Sequence, residues 1–298
     1  MRPRSRRPPV PGITSVKLEA AMLIRLIAID LDGTLLNSRN EISGENLKAL
    51  TAAYQVGVEV AVVTGRRFHS ARPFVEQIPF PVTIISSNGA RIGNTSGEVY
   101  HRNFLPADLA RKVIAAAAAY RPYAVAIFDR SGRGQVMMQV GASHEGPLAW
   151  YLRNNPDSLE LVPDLVTAIA CDPIHVTFGG PPPAIEPLEA FLHGSGFSAE
   201  VYLTWTKYLT RNVSLLDVMN RACSKGSALA FWAAHRCISS RDVMAIGDNH
   251  NDREMLEFAG CGVMMANGST DLHDGRWFRT LSNDEHGVAE AIRQFVVK

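Results

Sequence analysis

The stretch LIRLIAIDLDGTLLNS, residues 23–38, decides the fold class and raises the question of function. An apolar run typical of a buried strand ends on Asp30 and Asp32, separated by one leucine. Burying a charge is costly unless it is paired or bound to a cation. Ligands of open α/β sheets bind outside the carboxyl ends of the strands, so these carboxylates are predicted to face a crevice. An Asx turn or a helix cap is the alternative, but it accounts for one aspartate better than for two.

The composition is that of an ordinary globular protein. The chain has 298 residues, 46% apolar and 20% charged, with a formal net charge of +1. This balance gives no indication of a nucleic-acid or membrane partner. Four scattered cysteines without a C-x-x-C pair argue against structural zinc and favour reduced thiols in a cytoplasmic protein. Residues 1–21 are rich in arginine and proline and are predicted to be a disordered extension.

Strand and helix patterns alternate in both end portions of the chain. Apolar runs predict strands at 26–31, 58–63, 82–86, 243–246 and 262–265. Between and after them, amphipathic patterns predict helices at 43–57, 68–77, 226–235, 252–258 and 286–296. This alternation predicts an α/β fold, a doubly wound and mostly parallel sheet covered on both faces.

The middle of the chain has a different pattern. Residues 86–103 are typical of a hairpin, and a helix is predicted to begin at Pro106. Paired strands with few helices follow, which predicts an inserted α+β cap domain of about one hundred residues. The predicted catalytic core is therefore 22–104 and 212–298, and the predicted cap is 105–211.

Three further stretches carry groups suited to phosphate chemistry. A strand ends at Thr64 and Gly65, where a hydroxyl and backbone N–H groups can cradle an anion, although a helix cap is the alternative. Lys225 opens a helix, where a cation opposes the helix dipole unless an anion lies nearby. Asp248 ends another apolar strand, and Asp252 follows about one helical turn later. Together with residues 30 and 32, these groups predict a phosphoryl-transfer site.

The four stretches DLDGTLLNS, TGR, SKGSAL and GDNHND, in this order, resemble the signature motifs of the haloacid dehalogenase (HAD) superfamily. SSNGA at 86–90, ML at 255–256 and the later SNDEHGVAEAI narrow the resemblance to the Cof-like phosphatases, which carry a type C2 cap after the second motif. The resemblance extends from residue 22 to residue 298 and is specific in the core and loose in the cap.

The resemblance implies a role for each motif residue. Asp30 would be the nucleophile and Asp32 the general acid/base, while Thr64 and Lys225 would hold and neutralise the transferring phosphoryl group. Of the two arginines after Gly65, one is a candidate to touch the substrate, with a solvated helix surface as the alternative. The complete expected substrate-binding set is Thr64, Gly65, Arg66, Asn88, Lys225 and Asn251.

The same resemblance implies a magnesium site. Asp248 would bind Mg²⁺ alongside the carboxylate of Asp30 and the backbone carbonyl of Asp32. Asn251 and Asp252 would support that site. Carboxylate and carbonyl oxygens are the ligands that Mg²⁺ prefers.

The implied function is a Mg²⁺-dependent phosphatase that forms an aspartyl-phosphate on small phosphorylated metabolites. Sugar phosphates and phosphorylated cofactors such as FMN or PLP are the expected classes. A sugar phosphomutase, a non-catalytic phosphosugar-binding regulator and a signalling receiver domain are the alternatives. The contiguous DLDGT and the inserted cap argue against the receiver domain, and the complete catalytic set argues against the regulator. No pattern indicates the oligomeric state.

Several cap and core side chains lie outside this constellation. His69, His101, His175 and His286 have no partner at metal-ligand spacing and are expected to be surface or core histidines. Tyr202, Trp205 and Lys207 are candidates to line the substrate face of the cap, although aromatic strand residues more often pack in a core.

Overall fold

The computed structural model of the chain describes residues 23–141, 156–208, 212–272 and 275–297. The extension predicted at 1–21 lies outside the described residues. Within them, no helix combines the length and the apolar character needed to cross a membrane.

The catalytic core is built on an eight-stranded sheet. Its strands are β1 (Leu26–Ile29), β2 (Glu59–Val63), β3 (Thr83–Ser86), β4 (Arg91–Asn94), β5 (Val99–Arg102), β12 (Val243–Gly247), β13 (Cys261–Met264) and β14 (Phe278–Arg279). Their order is β14-β13-β12-β1-β2-β3-β4-β5, parallel from β14 to β3 and antiparallel at β4 and β5. The strand β1 lies between β12 and β2, so its carboxyl end is at the middle of the sheet edge.

Helices cover both faces of this sheet. They are α1 (Gly44–Gln55), α2 (Phe68–Val75), α6 (Lys225–His235), α7 (Arg253–Phe258) and α8 (Gly287–Phe295). Ile27 and Ile29 pack on the α1, α2 and α8 side, whereas Leu26 and Ala28 pack on the α6 and α7 side. Because both faces are covered, the strands are apolar without alternation. The doubly wound, mostly parallel architecture predicted from the sequence is confirmed.

The cap is a second sheet with helices on one face. Its strands are β6 (Ala124–Ile127), β7 (Val136–Gln139), β8 (Leu159–Val162), β9 (His175–Gly180), β10 (Val201–Tyr208) and β11 (Val213–Asn220), in the order β10-β11-β9-β6-β7-β8. Its helices are α3 (Ala107–Ala116), α4 (Leu165–Ala168) and α5 (Pro182–Gly194). They pack on alternate strand residues such as Val176, Phe178 and Leu216. The opposite face carries Val125, Ile127 and Met219 and packs against Ala90 of the core.

The end of the cap differs from the predicted boundary. Residues from 212 onward were expected in the core, but β11 pairs antiparallel with both β10 and β9 of the cap sheet. The boundary therefore moves from Arg211 to the end of β11. The sequence of β11 is that of a half-buried strand, which does not specify the sheet that it joins.

The two chain crossings between core and cap lie side by side. The Asn220 side chain donates a hydrogen bond from Nδ2 to the carbonyl of Phe104 at 3.0 Å. The backbone N–H of Leu105 donates to the carbonyl of Pro173 at 2.9 Å, inside the cap. The insertion thus enters and leaves at one point.

Candidate active site

A buried lysine joins two carboxylates at the carboxyl edge of the core sheet. Asp30 directly follows β1, and Lys225 is the first residue of α6. Lys225 Nζ lies 2.6 Å from Asp30 Oδ1 and 2.6 Å from Asp252 Oδ1, and its side chain is 1% exposed. Both carboxylates are buried. The lysine, which as a lone residue could have been a solvated charge, is therefore a fixed counter-ion.

Asp252 also organises the loop that follows β12. Its second oxygen, Oδ2, accepts hydrogen bonds at 3.0 Å from the backbone N–H groups of Asp248 and Asn249. A side chain at Gly247 would come within 2.6 Å of the Asp252 Cβ atom, so this close packing requires glycine. Both oxygens of Asp252 thus have protein donors.

Asp248 contacts Gly33 and Thr34, which directly follow Asp32 in the first motif. Thr34 Oγ1 donates to Asp248 Oδ1 at 2.8 Å. Gly33 has φ +80, and a Cβ atom there would lie 2.5 Å from Asp248 Oδ2. A glycine is therefore required both for the left-handed backbone and for the close approach of the carboxylate. Nδ2 of Asn267 donates to the Gly33 carbonyl at 2.8 Å and secures this turn.

The acidic cluster has more negative charge than the protein neutralises. Asp30, Asp248 and Asp252 offer oxygens that all lie within 4.8 Å of one another, and among the residues that the structure describes Lys225 is the one cation paired with them. Burial, and then the charge of Asp252, raise the pKa of Asp30 well above its usual range despite Lys225. Burial and Asp252 also raise the pKa of Asp248 to about 6. Burial lowers the pKa of Lys225, but Asp252 and Asp30 outweigh this effect and raise it.

Asp32 lies at the mouth of the site in the fork of an arginine. Arg66 Nε donates to Asp32 Oδ2 at 2.7 Å and Nη2 donates to Oδ1 at 2.5 Å, while the Asp32 side chain remains 50% exposed. The backbone N–H of Arg66 donates to the buried Thr64 hydroxyl at 3.0 Å. The guanidinium also lies 4.6 Å above the ring of Phe74. Arg66 is thus held from several sides and orients Asp32.

An asparagine pair closes the other side of the mouth. Asn88 is buried with φ 53, a left-handed conformation, and its N–H donates to the Thr64 carbonyl at 3.0 Å. Nδ2 of Asn251 donates to Asn88 Oδ1 at 3.0 Å. A Cβ atom at Gly65 would lie 3.1 Å from that same oxygen. TGR, SSNGA and GDNHND therefore meet around one opening.

The structure brings all the predicted site residues to one edge of the core sheet. The arginine fork on Asp32 was missed, because a sequence pattern does not give the direction of a side chain. Among the cap candidates, Tyr202 packs with the core-facing cluster, whereas Trp205 packs on the helix side and donates from Nε1 to Glu189 at 2.9 Å. The side chain of Lys207 lies outside the described residues.

Comparison with known proteins identifies the family. Residues 27–292 match the profile of the haloacid dehalogenase-like hydrolases. Phosphatase YwpJ of Bacillus subtilis is 30% identical over 92% of this chain and 100% of its own length. The HMP-PP phosphatase of Serratia proteamaculans is 30% identical over 84% of this chain and 86% of its own. The 5-amino-6-(5-phospho-D-ribitylamino)uracil phosphatase YwtE of B. subtilis is 28% identical over 92% and 98%.

A solved structure gives the same result for the fold. A haloacid dehalogenase-like hydrolase from B. subtilis superposes with a TM-score of 0.71 and 29% identity, over 91% of this chain and 99% of the other. The family resemblance seen in the motifs is confirmed over core and cap together. The chain belongs to the haloacid dehalogenase-like hydrolase family, as a phosphatase of the Cof-like group.

Proposed function

We propose that this enzyme is a Mg²⁺-dependent phosphomonoesterase that acts on small phosphorylated metabolites through a covalent aspartyl-phosphate on Asp30. The observation that carries the proposal is the buried Asp30 at the strand end, with Lys225 Nζ at 2.6 Å. A buried carboxylate fixed beside a cation, at an edge with further carboxylates, has the charge and position that a nucleophile toward phosphate needs.

Asp30 attacks phosphorus, so that a carboxylate–phosphorus bond forms as the bond to the leaving oxygen breaks. Lys225 and the buried Thr64 hydroxyl hold the phosphoryl oxygens and offset their charge. Asp32 donates a proton to the leaving alkoxide once one of its oxygens has left the Arg66 fork and been protonated. It then takes a proton from the water that hydrolyses the acyl phosphate, which restores Asp30.

The residues present fit a magnesium ion. Three close carboxylates with one paired ammonium leave excess negative charge, and carboxylates are the donors that Mg²⁺ prefers. Asp30 and Asp248 would hold the ion with the carbonyl of Asp32. Asp252 would position them, because both of its oxygens already accept hydrogen bonds. When bound, the ion would screen the repulsion between carboxylate and phosphate.

The substrate class follows from the relatives only in outline. Two relatives of similar identity carry the names of different substrates, HMP-PP and a phosphorylated ribitylaminouracil, so neither name transfers to this chain. Both support a small phosphorylated metabolite as the partner, with sugar phosphates, FMN and PLP as classes to test. A cytoplasmic location is proposed with it, because the exposed Cys171 and Cys237 are free thiols.

The test is phosphate release from a panel of sugar phosphates, nucleotides, FMN, PLP and p-nitrophenyl phosphate. Each ester is assayed with Mg²⁺ and with EDTA, using the wild type and Asp30→Asn. Release that needs Mg²⁺ and disappears in the variant is the expected result. Release that survives Asp30→Asn would remove the nucleophile assignment, and phosphate transfer between sugars would favour a mutase.

A further inference from the structure

The core-facing side of the cap sheet carries a polar cluster among apolar residues. In register across β9 and β11, Thr177 lies opposite Asp217, and His175 precedes Thr177 by two residues on the same face. Strand alternation turns their neighbours Val176 and Val218 toward the cap helices. The name cap triad is used below for His175, Thr177 and Asp217.

The cap triad is internally linked but incompletely satisfied. Thr177 Oγ1 donates to Asp217 Oδ1 at 2.6 Å, and His175 Nε2 lies 3.9 Å from the same oxygen. His175 is 8% exposed, and its Nδ1 atom has no hydrogen-bond partner among the described residues. A buried polar atom without a partner is costly, so this atom and the second oxygen of Asp217 are suited to a ligand.

Two contacts between core and cap show where the cap triad lies. On one flank, Tyr202 of β10 lies near Glu254, two residues after Asp252, and burial followed by the charge of Glu254 raises the pKa of Tyr202 to about 12. On the other flank, Arg67 Nη1, three residues after Thr64, donates to the side chain of Gln135, just before β7.

The strands β11 and β9 lie between β10 and the β6-β7 pair in the sheet. The cap triad therefore lies between two anchors, one beside the acidic cluster and one beside Thr64. Arg67 is also near enough to influence the charge of His175. This position is on the side of the cap that faces the core, between contacts with the loops that follow Thr64 and Asp252.

We propose that His175, Thr177 and Asp217 bind the leaving group of the substrate and select an uncharged, hydroxyl-rich group such as a sugar or a polyol. The inference rests on the proposed phosphatase function and deepens it. It assigns specificity to three residues of this cap and leaves the chemical step to the core.

The chemistry of the three side chains determines the selection. Asp217 can only accept hydrogen bonds when it is ionised, so it matches hydroxyl donors and repels a second phosphate. Burial lowers the pKa of His175; Asp217 raises it and Arg67 lowers it, with a net lowering. A neutral imidazole offers one donor and one acceptor, which again suits hydroxyl groups. An aryl ester without hydroxyls would leave these groups unpaired.

The experiment compares kcat/KM for hydroxyl-rich monophosphates (ribitol 5-phosphate, ribose 5-phosphate and glucose 6-phosphate) with kcat/KM for p-nitrophenyl phosphate. The variants are Asp217→Asn and His175→Ala. The matched control is Ser214→Ala, a buried position of the same strand on the helix-facing side. In each cap-triad variant the ratio of the two kcat/KM values should fall about 10- to 100-fold, whereas the control should keep it. Thermal unfolding verifies that each variant is folded.

A second readout does not depend on loss of activity. Glucose 1,6-bisphosphate and glucose 6-phosphate differ by one phosphate, and Asp217→Asn removes the negative charge that opposes it. The preference for the bisphosphate over the monophosphate should therefore rise in this variant, about tenfold or more. A misfolded cap would not produce such a gain.

The outcomes separate the two proposals. If the wild type hydrolyses p-nitrophenyl phosphate through Asp30 but the ratio is unchanged in folded variants, the cap assignment fails and the phosphatase stands. A wild type that does not favour hydroxyl-rich esters also overturns the cap assignment. If the wild type releases phosphate from no ester, both proposals fail.

Discussion

The carboxyl edge of the core sheet and the core-facing side of the cap sheet both bury polar groups, but they compensate them differently. In the core, Asp30 and Asp252 each lie 2.6 Å from a buried ammonium. In the cap, Asp217 accepts from a neutral threonine hydroxyl and has His175 at 3.9 Å. The core site is thus preorganised around charge, whereas the cap site is held by strand register and weaker hydrogen bonds.

This difference assigns separate tasks to the two regions. Fixed charges that need no rearrangement are the usual source of transition-state stabilisation. Neutral hydrogen bonds discriminate between ligands with smaller energies. We therefore expect changes in the core to alter the rate with every ester, and changes in the cap to alter the ranking of esters.

The largest effect on activity is expected from a substitution of the nucleophile, Asp30. Asp30→Asn should lower kcat at least about 10⁴-fold with every ester, because an amide cannot form the acyl phosphate. Phosphate release under saturating substrate measures the effect. Asp108→Asn, at an exposed position of the cap helix α3, is the matched control and should stay within about threefold. Retention of a tenth of the activity with any ester would contradict the assignment.

Lys225→Met tests how much the buried ammonium group stabilises the core. It leaves Asp30 and Asp252 buried without their cation, which should lower the free energy of unfolding by about 3–5 kcal/mol. Urea unfolding in EDTA at pH 7 measures this loss. Arg253→Met removes an exposed pair with Glu257 and should cost less than about 1 kcal/mol. Equal losses in the two variants would contradict the buried counter-ion role.

We also expect Mg²⁺ to stabilise the protein against unfolding through Asp248 of the core. Because the folded-state pKa of Asp248 is about 6 against a usual 3.8, its stabilising contribution is present below about pH 4 and is lost as pH rises through 6. Mg²⁺ at a hundred times its dissociation constant should restore about 2.7 kcal/mol near pH 7 and less at pH 5, where protons compete. Thermal unfolding with Mg²⁺ or EDTA at both values measures it.

The control for this experiment is Asp248→Asn, which should respond less to Mg²⁺ at pH 7 than the wild type does. An equal rise in the unfolding temperature of both proteins would place the ion elsewhere.

Two glycine-to-alanine variants can distinguish the effect of backbone strain from the effect of a displaced site residue. Gly33 (φ +80) and Gly57 (φ +90) both have left-handed backbones, but only at Gly33 does a Cβ atom meet a neighbour, Asp248 Oδ2 at 2.5 Å. Both alanine variants should lose about 1–2 kcal/mol of stability. Gly33→Ala alone should lower kcat/KM, about 10- to 100-fold, through displacement of Asp248. Similar activities of the two variants would show that the close approach is unimportant.

The smallest effect is expected where the two regions touch. Tyr202→Phe removes the cap hydroxyl that lies near Glu254 and should lower the free energy of unfolding by about 1 kcal/mol or less. Urea unfolding measures the loss, and the kcat of p-nitrophenyl phosphate hydrolysis should change less than threefold. A loss as large as that of Lys225→Met would mean that core and cap are not energetically distinct.

Sequence reasoning reached far in the core because its signals are local. An apolar strand that ends on Asp30 or Asp248 brings the carboxylate to the sheet edge, and parallel strands share that edge. The sequence could not show that Arg66 donates hydrogen bonds to Asp32, because the two residues lie on separate loops and the contact depends on where their side chains point.

In the cap, the sequence predicted neither the domain boundary nor the contacts between side chains on different strands. No strand was predicted at 213–220, so the boundary was placed before β11, which pairs with β9 and β10 of the cap. His175 was expected to be an ordinary surface or core histidine, because its neighbour Asp217 lies on another strand. Short strands such as β8 and β14 carried too few residues for a pattern.

The paired crossings at Phe104 and Asn220 have a consequence for how such enzymes diversify. Because the insertion starts and finishes at adjacent points, its length and content can change while the ends that it must join stay where they are. Gene segments encoding 105–219 could then be exchanged between relatives as a cassette, and each graft would inherit the chemistry of its host. Hybrid phosphatases could therefore be joined at this junction, where the side chain of Asn220 hydrogen-bonds to the carbonyl of Phe104.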